Sequence, residues 1–113
     1  MRFGQRIRKL RMEGGISQQE LAKRLGYKTN SYISDVERGN FIPSEGKLKE
    51  IAKALGVSFS KIKDFLLESK LEEMGIKEPA FISMFKDYPH LTREDKRAIV
   101  NAYLKIKKKT KKK

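Results

Sequence analysis

A chain of 113 residues accommodates one small domain with an attached segment and leaves little material for a deep catalytic cleft. It has no cysteine, which excludes disulfide frameworks and thiolate metal sites, and its single histidine, His90, argues against a histidine-based zinc or haem site. Its 27 Lys and Arg against 14 Asp and Glu give a net charge of +13, which points to a polyanionic partner.

The first apolar stripe is Phe3, Ile7 and Leu10, spaced i, i+4, i+7 as on one face of an amphipathic helix, and Gly14-Gly15 ends it. Ser17 opens a second helix with Glu20 at capping-box spacing, and Ile16 and Leu21 stand where a hydrophobic staple places them. Leu25-Gly26 ends that helix, the glycine supplying a left-handed position. A third short helix is expected from Asn30 to Arg38, with Ile33 and Val36 inward and Gly39 as its stop. Ser44 caps a fourth, whose buried stripe is Leu48, Ile51, Ala52 and Leu55 and whose end is Gly56. Ser58 or Ser60 begins a fifth, with Phe59, Ile62, Phe65 and Leu66 apolar and Met74 as its furthest reach. No segment has the alternation of a strand, so the fold class is all-α.

Gly75-Ile76-Lys77-Glu78-Pro79 reads as a joint, with Pro79 suited to a first helical turn. Phe81, Phe85 and Tyr88 then suggest a short helix broken before Pro89. Thr92 with Asp95 caps a last helix carrying Ala98, Ile99, Ala102, Tyr103 and Ile106, a stripe wide enough to need a partner surface. The organisation expected is a five-helix domain over 1–74, a helical extension over 75–106 and a disordered lysine-rich tail over 107–113. Charge is spread unevenly along the chain. Residues 1–40 carry nine basic and four acidic side chains, residues 41–104 are nearly neutral, and residues 105–113 carry seven lysines and no acid.

Helices joined by a tight turn are common, but here several specific segments occur in order. They are Ile7-Arg8-Lys9-Leu10-Arg11, Gly15-Ile16-Ser17-Gln18-Gln19-Glu20-Leu21-Ala22, Tyr32-Ile33-Ser34-Asp35-Val36-Glu37-Arg38-Gly39, Pro43-Ser44 and Ile51-Ala52-Lys53-Ala54-Leu55-Gly56-Val57-Ser58. Over about residues 3–66 this closely resembles the Cro and phage-repressor type of helix-turn-helix, the XRE family of transcriptional regulators. The resemblance implies a five-helix repressor-like DNA-binding domain, usually dimeric, whose third helix enters the major groove. One departure stands out: the turn Gly26-Tyr27-Lys28-Thr29 is one residue longer than the family's usual turn.

With Ile33 and Val36 facing the core, helical geometry points Ser31, Ser34, Asp35 and Arg38 away from it. Thr29 and Asn30 stand at the helix start, where side chains reach base edges, and an asparagine there can pair bidentately with adenine. The candidate base contacts are therefore Thr29, Asn30, Ser31, Ser34 and Asp35. The resemblance implies a backbone contact for Gln18 at the start of the second helix, where a helix N-terminus favours an anion. Lys28, Tyr32, Arg38 and Asn40 complete the candidate phosphate contacts, with packing as the alternative for Tyr32. The backbone amides near Gly39 are expected to reach phosphate as well. Arg11 and Glu37 match a family pair that forms a structural salt bridge. His90 is read as a surface or cap residue.

The extension offers two readings, dimerisation through Phe81, Phe85, Tyr88, Ile99 and Tyr103, or completion of the chain's own core; two-fold DNA sites favour dimerisation. The lysine tail is either a non-specific DNA arm or a solvated tail. The expected protein is a cytoplasmic DNA-binding transcriptional regulator, a repressor acting as a homodimer on double-stranded DNA with two half-sites, with no cofactor, metal, enzyme activity or membrane association. A second class of partner implied by the resemblance is a toxin, a protease or a sensor protein, which the apolar residues of the extension would receive.

Overall fold

The apolar stripes of the first five helices become their buried faces in the computed structural model, which describes residues 1–111. Five helices, α1 (Phe3–Glu13), α2 (Gln18–Arg24), α3 (Ser31–Glu37), α4 (Glu45–Leu55) and α5 (Phe59–Glu73), make the first of two compact units, Met1–Ile76. The second unit begins at Lys77 and holds α6 (Pro79–Asp87), a 3-10 turn (Tyr88–His90) and α7 (Arg93–Lys111). The described residues contain no strand.

Serines start three of the helices by satisfying an amide that the helix leaves unpaired. Ser17, Ser44 and Ser58 accept on Oγ from the N–H of Glu20, Lys47 and Lys61 at 3.0, 3.3 and 3.2 Å. The fifth helix thus begins after Ser58, not Ser60. Gly56 closes α4 at φ 72°, a left-handed turn that a residue with Cβ adopts only with strain.

Two apolar clusters hold the first unit together. Phe3 and Ile7 of α1 meet Leu48 and Ala52 of α4 and Ile62 of α5 in one, with Leu10, Phe59, Phe65 and Leu66 packed around them. Leu21 and Ala22 of α2 and Ile33 of α3 form the other, with Ile16, Leu25, Tyr27 and Leu55 against it. Each full burial of a Leu or Ile side chain stabilises by about 1.5–3 kcal/mol. The second cluster packs α3 against α2.

In the second unit, α6 starts on Pro79 and stops at Asp87, and Pro89 sits inside the 3-10 turn that follows. Thr92 Oγ1 accepts from Asp95 N–H at 3.1 Å and starts α7. That helix runs on through Lys111, so residues 107–111 are helical where the sequence suggests a disordered tail; residues 112 and 113 lie outside the described residues. Lysine has high helix propensity, cations suit a helix C-terminus, and Thr110 Oγ1 donates back to Ile106 O at 3.0 Å, so the last turns continue the helix without burial.

Candidate nucleic-acid interface

Gly4 brings α1 onto the end of α3. Its backbone touches the carbonyls of Val36 and Glu37 so closely that a Cβ there would overlap the Val36 oxygen and lie 2.6 Å from that of Glu37. At this contact Arg11 of α1 meets Glu37 of α3 in a buried ion pair, Nε to Oε2 at 2.6 Å and Nη2 to Oε1 at 3.0 Å. The third guanidinium nitrogen donates to Ile16 O at 2.7 Å, just before α2. One arginine thereby ties α1, the α1–α2 turn and α3 together. A paired charge with its hydrogen bonds filled avoids the large penalty of an isolated buried ion.

Glu37 also carries the network outward. Gln18, the first residue of α2, donates from Nε2 to Glu37 Oε1 at 3.0 Å and accepts on Oε1 from Asn30 Nδ2 at 3.0 Å. Asn30 is the N-cap residue of α3, and its side chain turns to Gln18 instead of capping its own helix. Thr29 serves the cap position, its Oγ1 lying 3.5 Å from Ser31 N and donating to Ser31 Oγ at 3.3 Å. The extra residue of the turn is absorbed at the surface. Tyr27 N–H returns to Ala22 O at 2.9 Å, and Gln19 Nε2 reaches Lys28 O at 3.4 Å.

The chemistry left available follows from donor counting. An amide NH2 has two hydrogens, so Asn30 keeps one hydrogen and its Oδ1, the donor and acceptor that an adenine edge requires. Gln18 likewise keeps one Nε2 hydrogen. Thr29, Asn30 and Ser31 are exposed, while Ser34 and Asp35 are half-buried. Ser34 Oγ accepts from Arg38 Nε and Nη2 at 3.1 and 2.6 Å, and Asp35 Oδ1 accepts from Asn40 Nδ2 at 3.0 Å. Asp35 is thus turned towards the end of α3, with Arg38 3.9 Å away, so its charge is partly offset. The amides near Gly39 do not wait for phosphate. Gly39 N–H donates to Val36 O at 3.1 Å and Asn40 N–H to Asp35 O at 3.0 Å, because closing a helix end uses those donors.

Comparison with known proteins meets this geometry. The family profile described as helix-turn-helix matches residues 7–62. The control protein C.BamHI of Bacillus amyloliquefaciens is 36% identical over 72 residues, covering 63% of this chain and 88% of that protein. The chain belongs to the XRE-type helix-turn-helix family. The immunity repressor protein of Bacillus phage phi105 is 35% identical over 80 residues, 69% of this chain, and the match spans 55% of that repressor's length. Among solved structures, a chain of the SinR protein/SinI protein complex is 28% identical with a TM-score of 0.50, covering 95% of this chain and 98% of that one. The family is one of DNA-binding regulators, not of enzymes.

In this helix-turn-helix protein Tyr32 is a packing residue before anything else. Its ring stacks on Tyr27 at 4.8 Å between centroids and meets the edge of Phe41 at 5.3 Å. Burial, with Tyr27 beside it, pushes the phenol above its usual range, so it stays neutral at physiological pH. Lys28, Arg38 and Asn40 are exposed on the same unit.

On the second unit Phe81, Phe85 and Tyr103 are exposed, Tyr88 and Ile99 half-buried. Phe81 and Phe85 lie 5.6 Å apart, and Lys96 Nζ stands 5.4 Å over the Tyr88 ring. No residue from Lys77 to Thr110 is buried. Among the described residues no group of His, Asp or Glu is placed to hold a metal ion, and no helix is long and apolar enough to cross a membrane. Two features escape sequence reasoning. The only mark of Gly4 is that a small residue stands inside an apolar stripe, and the Gln18–Asn30 bond joins residues twelve apart with no local signature.

Proposed function

We propose that this protein is a sequence-specific DNA-binding repressor that acts as a homodimer on a two-half-site operator. The observation that carries the reading is the connected chain Arg11–Glu37–Gln18–Asn30. It runs from a buried ion pair to the exposed start of α3 and holds an amide with an unused donor and acceptor at the place where such helices meet base edges. Asn30, Thr29 and Ser31 read bases, with Ser34 and Asp35 further along the groove. Gln18, Lys28, Tyr32, Arg38 and Asn40 contact phosphates, which supply most of the affinity. The similarity to a phage immunity repressor supports repression.

Residues 79–106 serve as the dimerisation element. Phe81, Phe85 and Tyr103 are 37%, 44% and 59% exposed, apolar surface that a second copy would cover. A second reading has a different protein on the same residues, a toxin, a protease or a sensor. It is supported by the structural neighbour, which comes from a complex of two differently named proteins.

Selection from random duplex DNA, followed by titration of the enriched sequence, tests the proposal. An enriched palindrome with half-sites about 10 base pairs apart is expected. Equal binding to enriched and scrambled duplexes would refute sequence-specific recognition. Light scattering of the purified full chain separates a dimer from a monomer that waits for another protein.

A further inference from the structure

The close approach at Gly4 has a second effect. Arg8 lies one turn beyond Gly4 on the same face of α1, and Arg2 just precedes the helix, so both are carried to the end of α3. There, together with Arg38 and Gly39, they line a concavity of about 290 Å³. Its one acid, Glu37, has both carboxylate oxygens engaged by Arg11 and Gln18, and its side chain is only 3% exposed. Arg2 and Arg8 are exposed and have no ion pair among the described residues. Arg38 gives Nε and Nη2 to Ser34, which leaves Nη1 unused. Gln5 also lines it and accepts the Arg2 N–H on Oε1 at 2.9 Å, which leaves its amide hydrogens as donors.

The concavity therefore offers several donors and three guanidinium groups; Glu37 is already paired, and Asp35, 3.9 Å from Arg38 Nη2, offsets only that one arginine. We propose that Arg2, Arg8 and Arg38 form a phosphate clamp that grips a phosphodiester of the DNA strand passing the C-terminal end of α3. Guanidinium groups suit this ligand because their planar forks pair with two phosphate oxygens at once. The seven residues of α3 end in carbonyls that favour a nearby cation, but that field is about half a charge. Three arginines exceed it several-fold. The clamp rests on the DNA reading above and extends it to a helix, α1, that the sequence assigns only to the scaffold.

The test uses the full chain and the duplex enriched by the wild type, titrated at several salt concentrations with Arg8→Gln and, separately, Arg2→Gln. Removing one arginine from a phosphate lowers the slope of log K against log salt by about 0.9, so a dimer altered in both copies drops by about 1.8. Between about 50 and 200 mM salt the wild type then loses roughly tenfold more affinity than the variant. Discrimination between enriched and scrambled duplexes stays unchanged, and ethylation interference disappears at one phosphate per half-site. An unchanged slope, with wild-type DNA binding intact, overturns the clamp and leaves these arginines as partners of the helix dipole. A fall in discrimination also overturns it, by placing Arg8 at bases. If the wild type enriches no duplex, the DNA reading falls and the clamp with it. Thermal unfolding of each variant distinguishes weakened binding from a damaged fold.

Discussion

Gln18 and Asn30 share a hydrogen bond, Asn30 Nδ2 to Gln18 Oε1 at 3.0 Å, that joins the first turn of α2 to the cap of α3. The bond fixes which way the Asn30 amide faces, because Gln18 is itself held by Glu37 at 3.0 Å. A residue assigned to the phosphate backbone therefore aims a residue assigned to bases.

Alanine at Asn30 should reduce discrimination between enriched and scrambled duplexes by about 1–3 kcal/mol, the value of a good bidentate base contact. Alanine at Gln18 should lower affinity for both and, in addition, reduce discrimination, since Asn30 loses its orientation. The double variant measures this directly. Binding free energies of the four proteins should show a coupling of about 0.5–3 kcal/mol, and additive effects would mean that Gln18 aims nothing.

Gly4→Ala improves helix propensity by about 1 kcal/mol yet should destabilise the first unit. The added methyl meets backbone carbonyls of Val36 and Glu37, which cannot swing aside, so α1 and α3 must separate. Overpacking of this kind costs about 1–3 kcal/mol, read as a lower urea midpoint with an unchanged m-value. A midpoint at or above that of the wild type would show that α1 shifts freely.

Acid sensitivity should involve Glu72. The Met1 ammonium, bonded to Oε2 at 2.6 Å, holds its carboxyl below the usual glutamate range, with Arg6 adding to this and partial burial opposing it. A carboxyl lowered in the folded state contributes stability above its unfolded value, about 4.3, and loses it as pH falls through the folded value. Glu72→Gln should thus be less stable than the wild type above about pH 5 by the modest worth of a solvated pair, about 0.2–1 kcal/mol, with the gap closing towards pH 3. Denaturant titrations at both pH values decide it. A gap that persists at pH 3 would mean the group acts through packing.

Tyr103→Glu and Phe85→Glu address the second unit. If these residues meet a second copy, a buried carboxylate should raise the dimer dissociation constant by about 30-fold or more, the equivalent of 2 kcal/mol. Sedimentation equilibrium gives the constant, and the circular dichroism of the first unit should be unchanged. An unaltered dimer would move the interface elsewhere.

Much of this protein is local and therefore legible in its sequence. Apolar spacing, serine caps and glycine stops depend on neighbours within a turn or two, and they determine five helices over 3–73 and two more beyond Pro79. The ordered segments from Ile7 to Ser58 likewise carry the family, whose profile matches residues 7–62. Side-chain aim is different, because it depends on which groups distant parts of the chain bring within about 3 Å. Asn30 turns to Gln18 instead of its own helix, Asp35 turns to Asn40, and the Gly39 amide closes α3 and so has no hydrogen left for phosphate. Only the packed structure decides these, since each side chain has more potential partners in sequence than hydrogens to satisfy them. The same holds for Gly4: a missing Cβ is visible in the sequence, but the carbonyls that require its absence lie more than thirty residues away.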